Sequence, residues 1–181
     1  MIPRGMIHGR FQPMHLGHLA YLEAAAARCG ELFVGITNPD RRATRPEPAD
    51  PARHLPSSNP YTYTERMLMI TAAAAAVGLA DVRVIPFPIT EPALWDDYVP
   101  REAVHFLRVL SPWGSAKLDR LTGRGYRVEV LAAPEGKQVS GEQVRAMIRD
   151  GGDWRRLVPP AVADFIDNLP TDHALAPRPA A

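Results

Sequence analysis

The chain has 181 residues, of which 46% are hydrophobic and 23% are charged, and its formal net charge is +1 at pH 7. This length and composition predict one globular domain with a sizeable core, and a net charge near zero argues against a nucleic-acid partner. The single cysteine, Cys29, cannot form an internal disulfide, which is typical of a cytoplasmic protein. No signal peptide and no apolar run of membrane-spanning length is visible, so we expect no membrane partner.

Strand and helix patterns alternate along the chain. Apolar runs of strand length lie near 5–8, 31–36, 82–87, 103–110 and 126–131. Amphipathic helix patterns lie near 16–29, 63–77, 112–122, 141–150 and 160–168. This alternation predicts an α/β fold with a parallel sheet and helices on both faces. Ligands bind such sheets at the carboxyl ends of the strands, where the strand order reverses.

Local signals mark where three of these helices begin. Thr62 and Glu65 form a T-x-x-E capping box, and Ser140 with Gln143 forms an S-x-x-Q box. Ser111 is followed by a proline, a pair that favours the first positions of a helix. The helix that begins at Ser140 and the first helix of the chain both follow strands, so we expect their N-termini to converge.

Residues 9–18 read GRFQPMHLGH and lie where the first strand turns into the first helix. His15 and His18 are three positions apart, so they share one face of the first helical turn. Gly17 carries no side chain and leaves the backbone open to a ligand. Because a helix N-terminus attracts phosphate, and Arg10 adds a charge, the segment predicts an anion site with two imidazoles.

The histidine pair has one alternative interpretation, a metal site. A zinc site needs three or four ligands, with further His, Cys or carboxylate groups nearby. The remaining candidates His8, His54 and His105 are scattered along the chain without a pattern. We therefore favour phosphate binding and predict no metal held by protein ligands alone.

Three segments together resemble one family. The string at 9–18 resembles the His-x-Gly-His signature of the nucleotidylyltransferase superfamily, and its fuller form is similar to archaeal-type nicotinamide-mononucleotide adenylyltransferases. Residues 139–162, VSGEQVRAMIRDGGDWRRLVPPAV, resemble that family's S-G-x-x-[IV]-R signature and the segment after it. Residues 59–70, NPYTYTERMLMI, are similar to its central helix. The resemblance implies a Rossmann-like, doubly wound domain of the nucleotidylyltransferase type over residues 1–170.

The resemblance also implies a reaction, in which a nucleoside monophosphate passes from a nucleoside triphosphate to a small anionic acceptor and pyrophosphate leaves. It implies that His15, His18 and Arg10 are catalytic. It also implies a set of nucleotide-binding residues, to which we add Lys137. They are Gly9, Phe11, Gln12, Gly17, Lys137, Ser140, Gly141 and Arg145. A phosphate or phosphonate acceptor is already anionic near neutral pH, so the site must align charges rather than supply a base. We expect Mg²⁺ to bind mainly through the nucleotide phosphates.

The acceptor segments depart from the adenylyltransferase pattern. That family has an Asn-rich stretch before a tryptophan that stacks on nicotinamide, and here the stretch reads PFPITEPALW at 86–95. Trp95 is kept, but Pro92 stands where an asparagine would bind the carboxamide. A later segment, SPWGSAKLDRL at 111–121, introduces Lys117.

A lost amide partner argues against nicotinamide and favours a smaller, more anionic acceptor. We expect Trp95, Lys117 and Arg42 to bind this acceptor. Our first choice is CTP-dependent cytidylyl transfer to a small phosphonate such as phosphonoformate, because cytidylyltransferases of phosphonate pathways resemble the same scaffold. The alternative is adenylyl transfer from ATP to nicotinamide mononucleotide. It stays open because the motifs bind phosphates and do not determine which base the nucleoside triphosphate carries.

Two segments interrupt the alternation of strands and helices. Residues 37–60 are long, proline-rich and carry four arginines. A loop of this length is either a lid that brings arginines onto phosphates or a surface excursion or oligomer contact. Residues 171–181 contain little to bury, and we expect a disordered tail.

Two other functional classes are compatible with parts of the sequence. A non-enzymatic nucleotide-binding regulator would have no need of His15, His18, Ser140 and Arg145 together. An aminoacyl-adenylate enzyme shares the His-x-Gly-His element, but the chain lacks a basic face for tRNA. The oligomeric state stays open, with a homo-oligomer as one alternative.

Overall fold

Five parallel strands form the middle layer of the computed structural model, which describes residues 1–79, 81–133 and 139–175. The strands are β1 (Ile2–Gly9), β2 (Cys29–Ile36), β3 (Arg83–Pro86), β4 (Val104–Leu107) and β5 (Arg127–Val130). The helices are α1 (Leu16–Ala26), α2 (Tyr63–Ala76), α3 (Pro112–Gly123), α4 (Gly141–Arg149) and α5 (Pro160–Asp167). The predicted α/β alternation is confirmed. Over the described part of the chain, none of the helices is long and apolar enough to cross a bilayer.

The strand order is β3-β2-β1-β4-β5, and every neighbouring pair is parallel. From β1 the chain passes through α1 to β2 and through α2 to β3. It then crosses back to β4 on the other side of β1, and α3 leads to β5. The order therefore reverses between β1 and β4, and the carboxyl ends of these two strands define the ligand crevice.

Neighbouring residues of the central strands belong to two different cores, because successive side chains of a strand point to opposite faces. Ile7 packs with apolar side chains of α1, α2, α4 and α5, such as Leu22 and Val144. Met6 instead packs with a cluster built around Trp95 and the α3 side chain Trp113. Both faces of the sheet are thus covered, as a parallel sheet requires.

The predicted helix starts are confirmed by hydrogen bonds at the caps. The Thr62 hydroxyl accepts from the amide of Glu65, whose carboxylate accepts from the Thr62 amide, so both halves of the capping box form. The hydroxyls of Ser111 and Ser140 accept amides at the starts of α3 and α4. These caps satisfy amides that have no partner inside the helix.

The prediction for the start of the second strand is wrong at its first residues. Cys29 falls in the predicted helix 16–29, but α1 ends at Ala26 and Cys29 opens β2, paired with Ile2. The ladder with β1 satisfies the backbone here, which overrides the continuing alanine-rich helix pattern. The thiol is buried.

Residues 37–60 form an ordered loop that packs on α3. The Glu47 carboxylate lies 2.7 Å from the Arg120 guanidinium, and the Arg53 guanidinium stacks 4.4 Å from the centroid of the Trp113 ring. Glu47 and Arg53 are both buried. In this structure the loop therefore forms a wall beside the carboxyl ends of the strands.

Residues 171–175 belong to the segment for which we expect disorder, and in this structure two of them make contacts with the rest of the chain. The His173 ring stacks on the Tyr61 ring with centroids 5.3 Å apart, and Leu175 is buried in the first core. Burial of Leu175 and ring stacking give this segment contacts that its polar composition does not suggest. Residues 176–181 lie outside the described residues.

Candidate active site

A cleft of about 620 Å³ opens at the carboxyl ends of β1 and β4. Its walls come from the turn after β1, the first turns of α1 and α4, the residues after β4, α3, and the loop 37–60. The predicted convergence of the α1 and α4 N-termini is confirmed. The two helix ends supply partial positive charge to the same cavity.

The turn after β1 is held in one conformation by packing and by a pair of hydrogen bonds. Phe11 has φ of 51°, in the left-handed region that non-glycine residues rarely adopt, and its ring is buried against the His18 ring at 4.8 Å. The Gln12 side chain both donates to the carbonyl and accepts from the amide of Tyr61, each at 2.9 Å. A Cβ on Gly9 would lie 3.3 Å from the Phe11 ring. The strained residue persists because its surroundings fix it.

The two predicted histidines are stacked on each other. His15 is the N-cap of α1, and its Nδ1 accepts from the amide of His18 at 3.3 Å. The two rings lie 3.6 Å apart between centroids with an interplanar angle of 21°. Because Nδ1 of His15 accepts, the proton of the neutral ring is on Nε2. His15 is therefore oriented as a donor with a fixed tautomer.

Both histidines are neutral in the free protein at pH 7. Burial lowers the pKa of His15 to about 4. Burial, with smaller contributions from His15, Lys117 and Arg10, places the pKa of His18 well below its usual value. Because neither ring is charged, the two rings do not repel each other. They can therefore stack at the N-terminus of α1 in the protein without a ligand.

The start of α4 docks on the turn after β1. The Arg145 guanidinium donates to the carbonyl of Gln12 at 2.6 Å, and a Cβ on Gly141 would lie 2.8 Å from the same oxygen. Only glycine fits this approach without displacing backbone. Ser140, Gly141 and Arg145 all line the cleft.

Arg66 of α2 joins the turn after β1 to the segment after β2. Its fully buried guanidinium donates to the backbone carbonyls of Arg10, Thr37, Asn38, Pro39 and Thr62 at 2.8–3.3 Å. Burial lowers the pKa of Arg66 to about 10, so it stays charged at neutral pH. This side chain holds the backbone of the cleft without lining it.

The cleft carries more positive than negative charge. The cationic residues among the described lining are Arg10, Arg53, Arg108, Lys117 and Arg145, and the carboxylates are Asp50 and Glu142. Asp50 already lies 3.7 Å from Arg10 and 3.9 Å from Arg53. Five cations against two carboxylates suit a ligand with several negative charges.

Eleven of the fourteen predicted site residues line this cleft. They are Gly9, Arg10, Phe11, Gln12, His15, Gly17, His18, Lys117, Ser140, Gly141 and Arg145. Lys137 lies outside the described residues. The Gln12 side chain is committed to Tyr61, so its role in the cleft is to position the turn.

Two predicted acceptor residues are not in the cleft. Trp95 is fully buried in the second core, where its indole N–H donates to the carbonyl of Pro88 at 3.0 Å. It belongs to a short 3₁₀ helix, Pro92–Asp97, whose tight turn directs the ring inward. Arg42 is exposed and lines a separate cavity beside His54 and Arg149. The prediction that Trp95 and Arg42 face the acceptor is therefore not supported by their positions.

Sequence reasoning missed three arginines that shape the site. Arg53 rather than Arg42 is the arginine of the loop 37–60 that lines the cleft. Arg108 follows β4, lines the cleft and donates to the carbonyls of Gly17 and Ala20. Its position after a strand is a signal that could have identified it, whereas nothing in the sequence around Arg66 distinguishes it from a surface residue of α2.

The sequence of the chain is similar to those of known nucleotidyltransferases. Residues 6–83 match the family described as cytidylyltransferase-like. Over 173 residues the chain is 47% identical to the phosphonoformate cytidylyltransferase of Streptomyces viridochromogenes, with 94% of each chain covered. It is 32% identical over 171 residues to the nicotinamide-nucleotide adenylyltransferase of Thermococcus onnurineus, covering 93% of this chain and 84% of that one.

A solved structure shares the fold. A bifunctional NMN adenylyltransferase/ADP ribose pyrophosphatase from Francisella tularensis superposes with a TM-score of 0.66 at 15% identity over 93% of this chain. The chain spans about half of that protein, 51% of its length. At this identity the likeness supports the doubly wound fold and nothing finer.

Proposed function

Since the chain belongs to the cytidylyltransferase-like family of nucleotidyltransferases, we propose that it transfers the cytidylyl group of CTP to a small phosphonate such as phosphonoformate. The observation that carries this proposal is the cation-rich cleft with a stacked histidine pair at the start of α1. The 47% identity to a phosphonoformate cytidylyltransferase over nearly the whole chain supports the choice of substrates.

The reaction needs alignment and charge neutralisation more than proton transfer. An oxygen of the phosphonate attacks the α-phosphorus of CTP and forms a new P–O bond. The bond between that phosphorus and the oxygen bridging to the β-phosphorus breaks, and pyrophosphate leaves with the electron pair. Because the attacking oxygen is already anionic near neutral pH, no general base and no covalent enzyme intermediate are required.

The histidine pair and two arginines act on the transferred phosphate. Nε2–H of His15 donates to an α-phosphate oxygen, and His18 donates from the neighbouring ring. Arg10 and Arg145 flank the pair from the turn after β1 and from α4. Preorganised donors of this kind stabilise the charge that develops in the transition state.

The first turn of α4 binds the leaving phosphates. Ser140 and Gly141 line the cleft where the partial positive charge of the helix is greatest. Glycine at position 17 leaves the His15 ring its place, because a Cβ there would lie 3.2 Å from that ring. Phe11, Gly9 and Gln12 keep the turn in place for this contact.

Mg²⁺ enters with CTP as part of the substrate. Among the described residues, no group of three or more His, Cys, Asp or Glu side chains is arranged to hold a metal ion. Asp50 and Glu142 line the cleft, and the phosphates of CTP would supply most of the oxygen ligands of the ion. The ion neutralises charge on the triphosphate.

A pyrophosphate-release screen tests the proposal. Purified enzyme with Mg²⁺ is given each of the four ribonucleoside triphosphates against phosphonoformate, other small phosphonates and nicotinamide mononucleotide. We expect release with CTP and phosphonoformate, and a cytidylylated product by mass spectrometry. Absence of release for every phosphonate with CTP contradicts the proposal.

Nicotinamide-mononucleotide adenylyl transfer is the second candidate, favoured by the 32% identity to archaeal enzymes of that name. Against it, Trp95 is buried in the second core and Pro92 offers no side-chain amide, so neither serves nicotinamide. A kcat/KM of about 10⁴ M⁻¹s⁻¹ for nicotinamide mononucleotide with ATP, the ordinary range for a true substrate, would establish this candidate instead.

A further inference from the structure

Three basic side chains meet on the α3 side of the cleft, apart from the groups assigned to the triphosphate. His8 is at the end of β1, Arg53 comes from the loop 37–60, and Lys117 comes from α3. All three line the cleft. The Trp113 ring lies against the Arg53 guanidinium and closes this side.

His8 and Arg53 are buried without enough hydrogen-bond partners, and Lys117 is partly buried beside them. Both ring nitrogens of His8, which is 1% exposed, have no hydrogen-bond partner among the described residues, and neither does Nε of Arg53. Arg53 donates to the Thr37 hydroxyl at 2.6 Å, while its nearest carboxylate, Asp50, is 3.9 Å away. Over the same part of the chain Lys117 forms no salt bridge. Buried polar groups of this kind are costly unless something binds them.

The three groups are also close enough to influence one another. Burial, followed by the charge of Lys117, places the pKa of His8 well below its usual value. Burial and the charge of Arg53 lower the pKa of Lys117 to about 7. The positive charges of Arg53 and Lys117, held together beside the neutral ring of His8, favour binding of an external anion.

The position of Lys117 connects this cluster to the reacting phosphate. Its charge lowers the pKa of His18 as well as that of His8, and Lys117 lines the same cleft as His18, His8 and Arg53. An acceptor whose phosphonate faces His18 would therefore extend toward Arg53 and His8. We infer that His8, Arg53 and Lys117 form a subsite for a second acidic group of the acceptor, a carboxylate bonded at or next to its phosphorus.

This inference rests on the proposed function and makes it narrower. Charge-assisted hydrogen bonds to a carboxylate are stronger than neutral ones, and Arg53 offers the fork geometry that matches two carboxylate oxygens. A phosphonate that lacks the second acid leaves Nε of Arg53 without an acceptor and Lys117 without a salt bridge among the described residues. The subsite thus selects phosphonates that carry a carboxylate over isosteres of the same size.

The test compares two acceptors that differ in one charge. Acetylphosphonate has a methyl group where phosphonoformate has a carboxylate oxygen, and otherwise keeps its shape. We expect wild-type enzyme with CTP to prefer phosphonoformate by on the order of 10² in kcat/KM, the effect of one or two charge-assisted hydrogen bonds. In Arg53→Gln and Lys117→Met this preference falls at least tenfold, mainly through KM for phosphonoformate.

A matched control and a second variant keep the test decisive. Arg45→Gln makes the same change in the same loop, but this side chain is 71% exposed, pairs with Glu91 and lies outside the cleft, so its preference stays that of wild type. If Arg53→Gln does not fold, Lys117→Met gives the answer alone. Equal loss on both acceptors in these variants, or no preference in wild type, overturns the inference.

Binding measurements separate this inference from the proposed function. Phosphonoformate is titrated calorimetrically into enzyme saturated with a non-hydrolysable CTP analogue. If wild type binds phosphonoformate and Arg53→Gln or Lys117→Met binds it at least tenfold more weakly, the subsite is supported even where turnover is absent. If wild type turns over phosphonates but the variants bind phosphonoformate equally well, the function stands and the subsite is wrong.

Discussion

Neutral histidines stacked at the start of α1 are the feature on which the chemistry depends most directly. Their pKa values lie below neutral pH because they are buried, and the His15 tautomer is fixed by the amide of His18. In the proposed reaction they would bind phosphate as oriented hydrogen-bond donors, and a bound polyanion would raise their pKa values. Donors placed before the reaction cost no reorganisation when charge develops.

We predict that His18→Ala lowers kcat by on the order of 10²–10⁴, the usual effect of removing one preorganised donor from a reacting group. The measurement is steady-state pyrophosphate release, with thermal unfolding to verify the fold. His54→Ala is the control, since that ring lines a cavity outside the cleft. A kcat within tenfold of wild type in a folded variant would remove His18 from the chemistry.

We predict that Lys117 gives the reaction an alkaline limit. Its pKa of about 7 in the free enzyme results from burial and from the charge of Arg53, and only the protonated form binds an anion. With this pKa, about half of the Lys117 side chains are charged at pH 7 and nearly all are charged at clearly lower pH. We therefore expect kcat/KM for phosphonoformate to fall as the pH rises through 7, approaching a tenfold loss per unit well above it. His8 and His18, which face the same cavity, are neutral throughout this range.

Lys117→Arg tests this assignment, because arginine keeps its charge at every pH used. We expect the alkaline limb of the kcat/KM profile to disappear in this variant, while the acid limb, which reports the acceptor itself, remains. A profile with an unchanged alkaline limb would assign that limb to another group.

At the scale of elements, the contact between α4 and the turn after β1 forms the part of the cleft that we propose binds the nucleotide. We predict that Gly141→Ala raises KM for CTP at least tenfold, because the new Cβ would lie 2.8 Å from the Gln12 carbonyl oxygen and push the helix away. Gly123→Ala in α3 is the matched control, since its Cβ meets nothing within 4 Å. Alanine there is neutral or stabilising, by up to about 1 kcal/mol.

Most elements could be predicted from sequence because their signals are local. The capping residues Thr62, Ser111 and Ser140 and the period of apolar residues each act within one element, and the structure follows them. The turn 9–18 can be recognised for the same reason, since its two histidines and two glycines lie within one short segment of the chain. Cys29 shows the limit, because strand pairing with Ile2 decides its structure from a distance.

The acceptor side could not be predicted in the same way, because it is assembled from separate segments. Which arginine of the loop 37–60 faces inward depends on Trp113 and on the contact of Glu47 with Arg120. A tryptophan at position 95 could stack on a ligand, but its ring instead packs among the apolar side chains of the second core. These outcomes depend on tertiary packing, for which the sequence of one segment contains no signal.

At the scale of the whole molecule, a bound nucleotide should contact both α4 and the turn after β1 and so raise the free energy of unfolding. A non-hydrolysable CTP analogue at 100 times its Kd contributes about 2.7 kcal/mol, which corresponds to a rise in Tm of about 5–10 °C for a chain of this size. At the same concentration we predict less than half this shift for Arg145→Ala and an intermediate shift for Arg145→Lys. Thermal unfolding with and without analogue measures both.

The control for that prediction is Arg149→Ala, an exposed arginine on the same helix whose side chain lines the separate cavity. It should show the wild-type shift. Equal shifts for wild type and Arg145→Ala would mean that Arg145 braces the Gln12 carbonyl without contacting the nucleotide.

The two cores divide the cleft along the sheet, and this has a consequence for inheritance. Phe11, whose ring packs against His18, and Val144 of α4 belong to the first core. Trp113 of α3 belongs to the second. After gene duplication, substitutions confined to the α3 side can therefore alter the choice of acceptor while the packing beneath the histidines is left intact. Lineages that diverged in this way would keep one inherited reaction and acquire different products.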